Sequence, residues 1–91
     1  MDNWNQILNE IKWNDLKEAK PKEHSYNGYI FKTSRHNAIY HGGCNPMMGM
    51  CWGVIVSSDD KDYTDNELKK GEHHIGAITT HWCLKETMTK I

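Results

Sequence analysis

The chain has 91 residues, a formal net charge of −1 and charged side chains at 25% of its positions. That length holds one small domain with one modest core, too little for an elaborate active site, and the near-neutral balance gives no chain-wide pull toward nucleic acid or anionic lipid. Direct nucleic-acid binding and membrane association are therefore not expected.

Ten lysines, one arginine, eight asparagines and eight isoleucines fit an AT-rich coding background as well as any function. No stretch approaches the roughly 20 apolar residues of a membrane span. Asp2 and Asn3 stand where a secretory leader would carry basic residues and then an apolar run. The expected location is cytoplasmic. Three cysteines fit reduced thiols or a metal better than a disulfide framework, with a Cys44–Cys51 bridge left open for an oxidising setting.

In chain order, Trp4, Ile7, Leu8 and Ile11 recur at the spacing of one helical stripe, with Asp2 or Asn3 placed to cap the first turn. Asp15-Leu16-Lys17-Glu18 has capping-box spacing and Trp13 falls opposite Trp4, so the helical region, residues 2–20, should kink near Asn14 and stop at Pro21. Trp13 is then an indole left over for a partner. Tyr29 to Thr33 reads as a strand, Ser34 to Asn37 as a turn, and Ala38 to His41 as the returning strand, with Gly42-Gly43 as its exit. Cys51 to Val56 reads as a further strand.

Residues 57–72 form a hydrophilic, acidic loop in which Thr64-Asp65-Asn66-Glu67 is a capping box for a short surface helix ending at Gly71. Residues 73–85 alternate as one long strand and 86–91 as a tail. The sum is a single α+β domain over 1–91: an N-terminal amphipathic helix packed on an antiparallel sheet of about four strands, with strands and a methionine–glycine loop in 28–56.

The most specialised stretch runs from Ala38 to Val56, holding four of seven glycines, two of three cysteines and three of five methionines. Soft, apolar side chains jointed by glycine are poorly spent on an ordinary loop, so this stretch is either buried or binds something. His41, Cys44, His81 and Cys83 make a zinc-stabilised domain geometrically conceivable, and otherwise no cofactor is expected. Gly49-Met50-Cys51-Trp52 resembles the Gly-Ser-Cys-Trp around the nucleophile of papain-like proteases, which implies a helix N-terminus at the cysteine, whereas Val54-Ile55-Val56 draws Cys51 into a strand. No catalytic residue is carried over, and the chain is read as non-enzymatic.

An anion or nucleotide pocket would use Arg35, His36, His41, Gly42 and Gly43. The leading expectation is instead macromolecular binding. Met47, Met48 and Met50, with Trp13, lack interior positions in so small a core, and Asp59, Asp60, Asp62, Asp65 and Glu67 would meet a basic surface. A protein partner, such as a nucleic-acid-binding or host-defence protein, suits such a module, and a phage or mobile-element inhibitor is a role of fitting size. Self-association would hide exposed methionine and tryptophan.

Overall fold

The computed structural model describes residues 12–84. They form β1 (Asn14–Asp15), β2 (Ser25–Thr33), β3 (Ile39–Asn45), β4 (Met50–Ser57), α1 (Lys61–Lys70), β5 (His73–His74) and β6 (Thr79–Leu84). The six strands make one antiparallel sheet in the order β1-β6-β2-β3-β4-β5. This overturns the expected N-terminal helix on about four strands. Among the described residues the one helix, α1, follows β4 and packs on it.

Residues 12–20 are an edge strand and a turn, not the end of a helix. Asp15 caps only that turn, its Oδ1 accepting from Lys17 N at 2.8 Å and its carbonyl from Glu18 N and Ala19 N. Leu16 N then donates sideways to Thr80 O at 3.0 Å, a cross-strand bond incompatible with a continuing helix. The Trp4–Ile11 stripe lies outside the described residues. Trp13 is half-buried and packs on Ile30, Ile39 and Cys83.

The β2–β3 turn falls where expected. Arg35 O accepts from Ala38 N at 2.9 Å, with His36 and Asn37 at φ 51° and 47°, the doubly left-handed turn that matches strand twist. Gly42-Gly43 is not an exit, because β3 runs through both glycines to Asn45. A Cβ on Gly42 would run into the Trp52 carbonyl, and one on Gly43 into the Ser25 carbonyl; the pair is small so that three strands can close. The expected 73–85 strand is broken after β5. Ile75 O accepts from Ile78 N, Thr79 N and the Thr79 hydroxyl, which turns the chain and brings both Ile75 and Ile78 onto one face.

That face carries the main core, Tyr29, Phe31, Tyr40, Cys44, Cys51, Ile55 and Ile75, with Tyr63, Ile78 and Trp82 packed against it. Each fully buried aromatic or aliphatic side chain there contributes roughly 1.5–3 kcal/mol. The other face buries Ile30, Ile39 and Cys83. Both edge strands, β1 and β5, span two residues, which limits the open backbone available for further pairing. Among the described residues no helix is long and apolar enough to cross a membrane.

Candidate functional site

Strands β3 and β4 form a hairpin with three successive zones. At its base, Tyr40 and Ile55 face each other in the ladder and both are sealed in the core beneath α1. Asp60 caps α1 through Oδ1, accepting from Asp62 N at 3.0 Å and Tyr63 N at 3.3 Å, and Gly71 ends it at φ 70°. The helix thus starts before Thr64, and this earlier start turns Glu67 inward. Glu67 is 3% exposed rather than displayed.

Its carboxylate is nearly saturated. Oε1 accepts from the Tyr40 hydroxyl at 2.6 Å, Oε2 pairs with Lys70 Nζ at 2.6 Å, and His73 Nε2 lies 3.1 Å from Oε1 without an aligned hydrogen bond. Tyr63 joins the Tyr40 hydroxyl at 3.1 Å. Burial alone raises the Glu67 carboxyl, but the Lys70 and Tyr40 hydrogen bonds and nearby His73 outweigh it and hold the group below its usual range. Burial, with the hydrogen bonds to Glu67 and Tyr63, pushes the Tyr40 hydroxyl far up. The network fastens helix to sheet. Its only sequence signal, Thr64-x-x-Glu67, pointed to a cap instead.

One ladder pair short of the tip Cys44 faces Cys51, with the sulfurs 3.9 Å apart. Cys51 O is directed away, to Ile75 N at 3.0 Å, so the cysteines form the non-hydrogen-bonded kind of cross-strand pair, in which side chains stand closest. Both thiols are buried, and burial pushes Cys44 up and Cys51 up to about 12. Beside them lies an open cavity of about 340 Å³, walled by Leu16, Lys20, Pro21, Pro46, Gly49 and Gly76. Cys51 therefore sits in a strand as a protonated thiol, without the activating helix N-terminus that the protease-like motif implies.

At the tip, Asn45 and Met50 close the ladder around Pro46-Met47-Met48-Gly49. Asn45 O accepts from Met48 N at 3.2 Å, Pro46 O from Gly49 N at 3.3 Å, and Gly49 takes φ 64°, so the loop is tight. Met47 is 97% exposed and Met48 70%, whereas Met50 is half-buried.

The other sequence-predicted sites are dispersed. In the zinc set, His41, His81 and Cys83 lie on the face opposite Cys44: His41 pairs with Ile30, Cys83 with Ile30 from the other side, and His81 with Lys32. Among the described residues no group of three or more metal-ligating side chains converges. Arg35 and His36 are exposed at the β2–β3 turn, away from His41 and from Gly42 and Gly43, whose backbones belong to the ladder. The acidic residues are partly occupied at home. Asp59 accepts from Asn37 Nδ2 at 2.6 Å, Asp60 caps α1, Asp65 pairs with Lys61 at 2.8 Å, and Asp62 is exposed in the first helical turn.

The class defined by fold and site is, over the described residues, a small antiparallel sheet braced by α1 that projects a sulfur-rich hairpin. No family model, curated protein or solved structure matches the chain.

Proposed function

We propose that this domain acts without chemistry of its own, by binding a protein partner through the tip of the β3–β4 hairpin. The observation that carries the reading is the pair Met47 and Met48, 97% and 70% exposed at the end of a closed, hydrogen-bonded loop. Unbranched thioethers leave water readily and repack against varied apolar surfaces, and a tight loop spares most of the ordering cost on binding. The occupant expected is an apolar groove on another protein. Asp62, exposed in the first turn of α1, adds negative charge for a basic rim. Free thiols at Cys44, Cys51 and Cys83 suit a reducing compartment such as the cytoplasm. The narrower role of a phage-borne inhibitor has no residue to support it and is not carried further.

The test is native capture from a cell lysate followed by mass spectrometry, run with the parent and with Met48→Glu in parallel. A protein recovered by the parent and lost by the charged variant is expected. Equal recovery by both, or recovery of a small molecule alone, would set the reading aside.

A second reading has its own observation. The cavity beside Cys44 and Cys51 reaches the lower end of small-ligand pocket sizes. It supplies a concave site that Arg35, His36 and His41 do not.

A further inference from the structure

Cys44 and Cys51 take no part in the partner binding assigned to the tip. They stand directly opposite on β3 and β4, with the Cys51 S–H directed at the Cys44 sulfur 3.9 Å away. Theirs is the non-hydrogen-bonded kind of antiparallel pair, which sets Cα atoms about 4.5 Å apart, inside the window of about 4.4–6.8 Å that a disulfide requires. The backbone therefore already stands where a bridge needs it, and rotation of the two side chains is enough to close one. The third thiol of the chain, Cys83, is sealed on the other face among Ile30, Ile39 and Trp13 and reaches neither.

We propose that Cys44 and Cys51 are a reversible redox modification site, closed to an internal disulfide by a low-molecular-weight disulfide such as oxidised glutathione. The way in is the open cavity that both cysteines line, whose volume of about 340 Å³ has room for the cysteinyl moiety of such a reagent. Lys20 on its wall attracts the reagent's carboxylates.

One cysteine, as the thiolate, attacks a sulfur of the small disulfide; that S–S bond breaks, a mixed disulfide forms and one small thiolate leaves. The second cysteine, already in contact, attacks its neighbour's sulfur in the mixed disulfide and expels the other small thiolate. The protein loses two S–H bonds and gains one S–S bond, while the reagent loses its S–S bond and takes up both protons and both electrons as two small thiols. Burial pushes Cys44 up and Cys51 up to about 12, which keeps thiolate scarce and exchange slow, so the pair follows a sustained oxidising shift rather than a brief one. The product is a covalent ring over residues 44–51 that fixes the base of the Met47–Met48 loop and stabilises the hairpin. This site is independent of the partner-binding reading and stands or falls without it.

The experiment equilibrates the full chain with graded mixtures of reduced and oxidised glutathione, approached from both the reduced and the oxidised side, then quenches with acid, alkylates in denaturant and weighs the products by mass spectrometry. The parent should convert to one monomeric product about 2 Da lighter, in which Cys44 and Cys51 resist alkylation and Cys83 does not. In the same mixture the native chain should favour the bridge at least about tenfold more than the chain in denaturant, because the fold holds the pair in place. By the same cycle the oxidised parent should melt at least about 5 °C above the reduced parent. Cys83→Ser should match the parent, whereas Cys44→Ser and Cys51→Ser should form no internal bridge and show no such rise. The native-against-denatured comparison uses the parent alone and needs no variant to fold. A pair that stays reduced in the most oxidising mixture, a native chain no more easily bridged than the unfolded one, a bridge through Cys83, or a glutathione adduct as the end product would overturn the proposal.

Discussion

The two halves of the β3–β4 hairpin are made of the same strands and behave as different materials. Near its base, Tyr40 and Ile55 lie under α1, and the buried oxygens of Tyr40 and Glu67 are met by other groups, with His73 Nε2 alone left beside Glu67 without an aligned hydrogen bond. Farther out the helix no longer covers the sheet. There Cys44 and Cys51 face a cavity, and Met47 and Met48 face solvent. A polar cluster whose bonds are nearly all made within itself has little left to offer a ligand and serves stability. Side chains beyond the helix's cover have unused capacity, and that is where binding is assigned.

The sharpest way to break this contrast is Glu67→Ala. It strips the acceptor from the Tyr40 hydroxyl and leaves Lys70 and His73 without their anion, so it should cost about 3 kcal/mol in denaturant unfolding. A loss below about 1 kcal/mol would mean that the network is ornamental. Gly42→Ala, at the junction of the halves, should cost about 2 kcal/mol, because its Cβ can be housed only by pushing β3 off the Trp52 carbonyl of β4. A melting curve unchanged from the parent would show that the strands are not so closely apposed.

Acidification sharpens the same point. The Glu67 carboxyl is held below its unfolded value, so its contribution is present above about pH 4.3, the ordinary glutamate value, and is lost as pH falls through the folded one. Melting temperature should therefore drop on the acid side of that value, and Glu67→Gln should flatten this limb. Parallel acid limbs in parent and variant would contradict the assignment. In the outer half, Cys44→Ala should cost only about 1 kcal/mol in the same unfolding measurement, since open space already adjoins the sulfur. A cost matching that of Glu67→Ala would erase the distinction.

How much of this was legible depended on the range of the deciding interaction. The hairpin turn at Arg35–Ala38, the strand character of Tyr29–Thr33 and Cys51–Val56, and the lack of interior room for Met47 and Met48 follow from local propensity and alternation. Gly42-Gly43 was read as a turn because glycine permits turns. What fixes it in mid-strand is the approach of Trp52 and Ser25 from neighbouring strands, which no local window contains. Residues 12–20 carried helix-like spacing and were claimed by the edge of β6 instead. The alternation through 73–85 concealed a turn that Ile75 makes with its own carbonyl. Of the candidate sites, the methionines were visible as a surplus. The sequence left a Cys44–Cys51 bridge open but strand register is what sets the two face to face, and Glu67 was hidden behind a capping pattern it does not use.

The separation of stability from binding is tested most directly by replacing Met47 and Met48 together with serine and measuring the melting temperature and the affinity for the captured partner on the same preparation. The melting temperature should stay within about 3 °C of the parent, because neither side chain is buried. Affinity should weaken by about 1–3 kcal/mol, as when interface anchors are lost. Loss of the fold, or undiminished affinity in an intact fold, would contradict the account.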